Sequence, residues 1–170
     1  MTKRPSVETS RLRLVAADPS LVRMELDDRP GLFAALETQP PADWPPPLND
    51  DASFRYVLNE WEREPSSWGY WYVIEMLSNE PIGICGFKGP PDEAGIVEIG
   101  YSIVPARQGL GFATEAVAAL IGWCSRQGAR FVTAETYPEL IGSIRVMEKN
   151  GAALEGNGSE PGVVRYRRAL

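Results

Sequence analysis

A strand-like run that gives way, through a proline and two glycines, to an amphipathic helix constrains this chain more than any other feature. Residues 95–104 place Val97, Ile99, Tyr101 and Ile103 on one face and Glu98, Gly100 and Ser102 on the other, the period of a strand. Pro105 ends the run, Gly109 and Gly111 follow, and residues 111–127 carry Ala113, Ala116, Val117, Leu120, Ile121 and Cys124 at core-facing helical spacing. The glycines let the backbone turn tightly and approach a ligand unobstructed. The helix start adds unpaired N–H groups and the positive end of its dipole. Together they suit a phosphate or pyrophosphate, with Arg107 placed to add a charge-assisted contact. An ordinary tight turn has the same pattern, so the junction alone leaves both readings open. It is not a Walker loop, because no Gly-Lys-Ser/Thr follows. It also lacks the third glycine and the early position of a dinucleotide fingerprint.

The remaining periodicities predict the elements around this junction. Residues 9–16 alternate Leu12, Leu14 and Ala16 with Arg11, Arg13 and Val15, a half-buried strand. Asp18 and Pro19 open a helix as cap and first turn, and Pro30-Gly31 breaks it before a short helix with Leu32, Phe33 and Leu36. The proline-rich residues 39–47 form a stiff, extended loop packed on the same body. Asp50 caps a helix striped with Phe54, Val57, Leu58 and Trp61. Residues 71–77 and 81–87 make a hairpin. Residues 131–136 form a strand and 140–150 a helix, with Leu140, Ile144 and Met147 inward and Gly151 as its stop. Residues 152–155 and 163–169 close the chain as an antiparallel pair. That order predicts a single α/β domain over residues 1–170, a mixed sheet flanked by helices.

Composition removes several chemistries. The 170 residues include no histidine, which excludes Ser-His and Cys-His nucleophiles and histidine-ligated metals; no metal site is expected. Cys85 and Cys124 lie far apart in apolar runs and read as buried thiols. A net charge of −6 argues against nucleic-acid binding and mildly favours a cationic acceptor. No stretch approaches the roughly 20 apolar residues of a membrane span, and no apolar segment follows the basic N-terminal residues, so the expected location is cytoplasmic, with no membrane partner.

Gln108-x-x-Gly111-x-Ala113, preceded by Tyr101-x-Ile103-x-Pro105, resembles the acetyl-CoA motif of the GNAT acetyltransferases, and the string RQGLGFATEAV is similar to their RimJ/RimL-like branch. Residues 8–14, 143–151 and 164–168 agree in order and spacing over nearly the whole chain. The resemblance implies a mostly antiparallel sheet splayed open after Ile103, with coenzyme A in the gap. Backbone groups from Ile103 onward would pair with the pantetheine arm. The amides of Gln108, Gly109, Leu110, Gly111, Phe112 and Ala113 would hold the pyrophosphate, with the Thr114 hydroxyl beside them. In many relatives an Asn stands three residues before Ser143; here that position is Leu140.

Transfer from a thioester requires a neutral amine, and a lysine-like amine is only about 0.04% unprotonated at pH 7. Glu98, on the face opposite Val97 and Tyr101, is the first candidate to take that proton, and Glu135 the second. Ser143 and Tyr137 are candidates to hydrogen-bond the departing thiolate, and a backbone N–H near Ile103 to meet the oxyanion. Trp44, flanked by prolines, is the candidate for the acceptor pocket, whereas Trp61 and Trp71 read as core. The expected reaction acetylates a small-molecule amine or a protein N-terminus, in a monomer or a homodimer. The competing reading is a coenzyme A-binding sensor without turnover, suggested by Leu140.

Overall fold

Two alternating sets of apolar residues on the same strands decide the layers. The computed structural model describes residues 4–63 and 66–170. Its strands are β1 (Ser6–Glu8), β2 (Leu12–Ala16), β3 (Tyr70–Glu75), β4 (Glu80–Phe87), β5 (Ile96–Ile103), β6 (Phe131–Thr136), β7 (Ala153–Asn157) and β8 (Val164–Ala169). They form one sheet in the order β1-β2-β3-β4-β5-β6-β8-β7, antiparallel throughout except for the parallel pair β5–β6. The helices are α1 (Pro19–Asp27), α2 (Arg29–Ala35), α3 (Asp51–Arg63), α4 (Phe112–Arg126) and α5 (Ile141–Lys149).

Leu12, Leu14, Trp71, Val73, Val97 and Ile99 pack with Ala116, Val117 and Leu120 of α4 and Met147 of α5. The intervening residues Val15, Tyr72, Ile74 and Ile84 pack with Leu21, Val22, Leu32, Phe54 and Trp61 of α1–α3. Because strand side chains alternate, α4 and α5 lie on one face of the sheet and α1–α3 on the other. Both faces of the central strands are therefore buried, which is why Val15 is buried although the alternation assigns it to the outer face.

The turns follow local chemistry. The Asp18 carboxylate caps α1 by accepting from Leu21 N at 3.0 Å. Pro30 does not break that helix: the break falls at Asp28, whose carboxylate accepts from Gly31 N at 3.0 Å, and Pro30 sits in the first turn of α2, where its missing N–H is no loss. The predicted first strand begins later than residue 9, since Thr9 and Ser10 turn the chain between β1 and β2. Leu140 is 46% exposed rather than inward, whereas Met147 is buried.

Candidate active site

The sheet opens where two ladders part. β5 and β6 pair only as far as Glu98 opposite Thr133. Beyond that point β5 stays with β4 up to Ile103, and β6 stays with β8 up to Thr136. A gap therefore lies between residues 99–103 and 134–136. Lys88 N donates to Glu98 O at 3.0 Å and Val104 N to Ile82 O at 2.8 Å, so even-numbered β5 residues direct their backbone groups to β4. The N–H and C=O of Tyr101 and Ile103 then point to the gap. The Tyr101 hydroxyl reaches across to the α5 side, donating to Ser143 O at 2.8 Å. Burial, above all, pushes this phenol's pKa well up. The Tyr101 ring packs against the core beneath α4 and α5, on the face its period predicts, while periodicity does not report where its hydroxyl finds an acceptor.

The loop after β5 has the geometry expected of an anion site. A 3-10 turn at Pro105–Arg107 leads to Gly109 at φ 74° and Gly111 at φ 84°, the latter capping α4. That left-handed backbone favours glycine. Among the described residues, the N–H groups of Gly109, Leu110 and Gly111 meet no protein acceptor. Those of Phe112, Ala113 and Thr114 belong to the first turn of α4 and lack intrahelical partners. Gln108 acts through its side chain, donating to Ile103 O at 2.9 Å and so bracing the loop against the strand end. The Phe112 side chain is buried, leaving only its backbone at the site. A phosphate-bearing cofactor fits this cradle, and Leu110, Tyr137, Leu140 and Ile141 stand exposed at the same end of β5 and β6, offering apolar surface to its arm.

Arg107 is not the loop's cation. Its guanidinium is drawn to Glu75 Oε2 at 3.1 Å and Glu80 Oε2 at 3.2 Å on the β3–β4 hairpin. Arg11 stands at the loop instead, donating to Leu110 O at 3.0 Å with its Cζ 4.4 Å from the Phe112 ring centroid. The only sequence hint was that residues 8–14 belong to the family resemblance; 99 positions separate Arg11 from Leu110.

On the face opposite α4, Glu98, Gly100 and Ser102 line the opening. Glu98 is ion-paired with Lys88 and borders a cavity of about 300 Å³ together with Asp92, Ile96, Thr133, Glu155, Arg165 and Arg167. Gly100 leaves open space, since a Cβ there would meet nothing within 4 Å. Ser102 Oγ donates to Pro47 O at 2.6 Å, docking the proline loop along this edge. Trp44 does not present a free indole: its Nε1 donates to Glu25 at 2.7 Å, and its ring packs near Phe33 and Tyr72. It anchors the loop. Glu25 is fully buried, and burial raises its carboxyl pKa against the hydrogen bonds from Trp44, Arg29 and Tyr72.

Glu135 is unsuited to proton transfer. Arg165 Nε and Nη2 donate to Oε1 at 2.8 and 2.5 Å, and Ser159 Oγ to Oε2 at 2.6 Å. Burial pushes its pKa up, but these bonds outweigh burial and hold it at about 2. Such a carboxylate has little affinity for a proton at neutral pH. Ser143 lies in the first turn of α5, and its hydroxyl has no protein partner among the described residues. Tyr137, just past β6, is 45% exposed. Among the described residues no group of three His, Cys, Asp or Glu side chains is placed to hold a metal ion.

Residues 20–153 match the acetyltransferase (GNAT) domain family. The chain belongs to the GNAT acetyltransferases. Acetyl-CoA is therefore the acyl donor of this acetyltransferase, and the loop at residues 108–114 lies within the matched segment. YjdG of Bacillus subtilis (strain 168), an uncharacterized N-acetyltransferase, is 29% identical over 160 residues, covering 91% of this chain and 93% of its own. Two solved structures share the acetyltransferase's fold. One, a GNAT-family acetyltransferase from Bacillus anthracis, aligns with a TM-score of 0.67 and 19% identity over 97% of this chain and 98% of its own. The other is RimL, a ribosomal alpha-N-protein acetyltransferase in complex with coenzyme A, with a TM-score of 0.69 and 22% identity over 98% of each chain. No helix among the described residues is long and apolar enough to cross a membrane.

Proposed function

We propose that this acetyltransferase acetylates a primary amine, on a small molecule or a protein N-terminus, by direct attack with Glu98 receiving the amine's proton. The observation that carries this reading is the end of β5–β6 pairing at Glu98: the carboxylate stands where the sheet opens, on the face away from α4. An amine entering over Gly100, between Glu98 and the Ser102–Pro47 edge, would reach the gap from that face. RimL, whose fold the chain shares, acts on a protein's N-terminal amine, which accords with an amine acceptor here. We read residues 1–170 as one catalytic unit acting in the cytoplasm, on neither nucleic acid nor membrane.

Bound acetyl-CoA supplies an activated thioester, so no covalent intermediate on the protein is required. The amides of Gly109 to Thr114 hold its phosphates, and the gap-facing backbone of Tyr101 and Ile103 aligns its arm. Glu98 accepts the ammonium proton directly or through one water, lowering a deprotonation cost of roughly 4–5 kcal/mol at pH 7. Ser143, in the first turn of α5 with a hydroxyl that has no protein partner among the described residues, and Tyr137, just past β6, would hydrogen-bond the leaving sulfur.

The test is an amine panel scored by thiol release from acetyl-CoA. Release with at least one amine, falling about 10²–10⁴-fold in Glu98→Gln, is the expected result. Glu98→Gln should retain the full acetyl-CoA-induced rise in unfolding temperature, because the phosphate loop is untouched. Unchanged turnover in that variant would remove Glu98 from the base role.

A further inference from the structure

The turn between β1 and β2 is stapled to the start of α4 by one carboxylate. Glu115 Oε1 accepts from Thr9 Oγ1 at 2.6 Å, Ser10 Oγ at 3.2 Å and Arg11 N at 3.0 Å, while Oε2 accepts from Arg11 Nε at 2.7 Å. More than a hundred residues separate the partners, and all the donors come from one three-residue turn. Arg11 Nη1 donates to Leu110 O at 3.0 Å, and the guanidinium lies over the buried Phe112 ring. A Cβ added at Gly111 would stand 3.4 Å from Arg11 Nη2. The guanidinium is thus held at its Nε edge, at Nη1 and against an aromatic face, beside the loop whose N–H groups are open. Its Nη2 donors have no protein acceptor among the described residues, and its side chain is 45% exposed. A rigidly placed fork with free donors is well matched to phosphate oxygens, and pre-placement reduces the entropy lost on binding them.

Resting on the reading of residues 108–114 as the phosphate loop, we infer that Arg11 is a cofactor-binding residue that contacts the phosphates of acetyl-CoA, and that Glu115 is the positioning residue that aims it. Glu115 lies one turn further into α4, so the cation and not the carboxylate borders the loop mouth. Arg107, the nearer residue in sequence, is already bound by Glu75 and Glu80 and takes no part.

Binding, which needs no knowledge of the acceptor, tests this. Coenzyme A is titrated calorimetrically into the wild type, Arg11→Met, Arg11→Lys and Glu115→Gln, and pantetheine serves as the phosphate-free probe. Arg11→Met keeps a stem over Phe112 and removes the donors. It should weaken coenzyme A by roughly ten- to a hundredfold, the loss of one or two charge-assisted hydrogen bonds, and leave pantetheine unchanged. Arg11→Lys should recover part of the loss, and Glu115→Gln should show a smaller loss with the same ligand selectivity. Equal weakening of both ligands would make Arg11 merely structural and overturn the inference, as would unchanged coenzyme A binding in Arg11→Met. A wild type that binds coenzyme A no more tightly than pantetheine would defeat the phosphate-loop reading itself, before any question about Arg11 arises.

Discussion

Replacing Glu135 by Gln separates structural from catalytic carboxylates in this site. The Glu135 side chain is 7% exposed and accepts from Arg165 and Ser159, which hold its pKa at about 2 against an ordinary 4.5. At about 1.4 kcal/mol for each pH unit, a difference of that size corresponds to roughly 3 kcal/mol of folded-state stability. Arg165 is 37% exposed, so solvent screening trims the value to about 2 kcal/mol. A carboxylate whose folded pKa is depressed stabilises the fold fully above about pH 4.5, and that contribution is lost as the pH falls from 4.5 toward 2. Glu135→Gln keeps the shape and removes the charge, so its unfolding temperature at pH 7 should fall by roughly 4–8 °C for a chain of this size. Its acid limb between pH 4.5 and 2 should also be flatter than that of the wild type. Thermal unfolding followed by circular dichroism across pH 2–7 measures both effects. Acetyl transfer, assayed well below the unfolding temperature, should persist. Identical unfolding temperatures with parallel acid limbs would refute the ion-pair account. Intact stability with lost turnover would restore Glu135 as a base.

Gly100→Val should fold normally, since a Cβ there meets open space and valine suits a strand. It should lower kcat/KM for the amine by about 10²-fold through misplacement while leaving coenzyme A affinity unchanged; steady-state kinetics beside a coenzyme A titration checks this. Glu25→Ala leaves Trp44, Tyr72 and Arg29 without their common acceptor and should destabilise the protein by about 3–5 kcal/mol in urea unfolding. Glu25→Gln should be milder. Because burial raises the Glu25 pKa above 4.5, wild-type stability falls as the pH rises through that window, and Glu25→Gln should gain on the wild type there.

The elements were legible wherever a periodicity ran long enough to bury one face. β5, α4 and β6 are found within a residue or two of their expected bounds, and the two glycines of the loop adopt the positive φ that their position requires. The helix break was misplaced at Pro30 because Asp28 ends one helix and caps the next: its N–H donates to Met24 O while its carboxylate accepts from Gly31 N. Leu140 was expected to face inward at helical spacing, but it stands at the N-cap of α5, outside the repeating turns.

Sequence by itself determined the layered α/β architecture, the strand–Gly-x-Gly–helix junction and, through resemblance, the family. These are carried by local patterns: side-chain period, turn conformation and unpaired N–H groups at a helix start. Tertiary structure alone decided which partner each charge around the loop and the gap takes. Arg107 and Arg11, Glu98 and Glu135, and the Trp44 indole each had the right chemistry in one dimension. Their roles depend on partners drawn from elsewhere in the chain: Glu75 and Glu80 for Arg107, Glu115 for Arg11, Arg165 for Glu135 and Glu25 for Trp44. A charged or polar group is directed by whichever counter-group the fold brings within hydrogen-bonding distance, and no residue spacing along the chain encodes that distance.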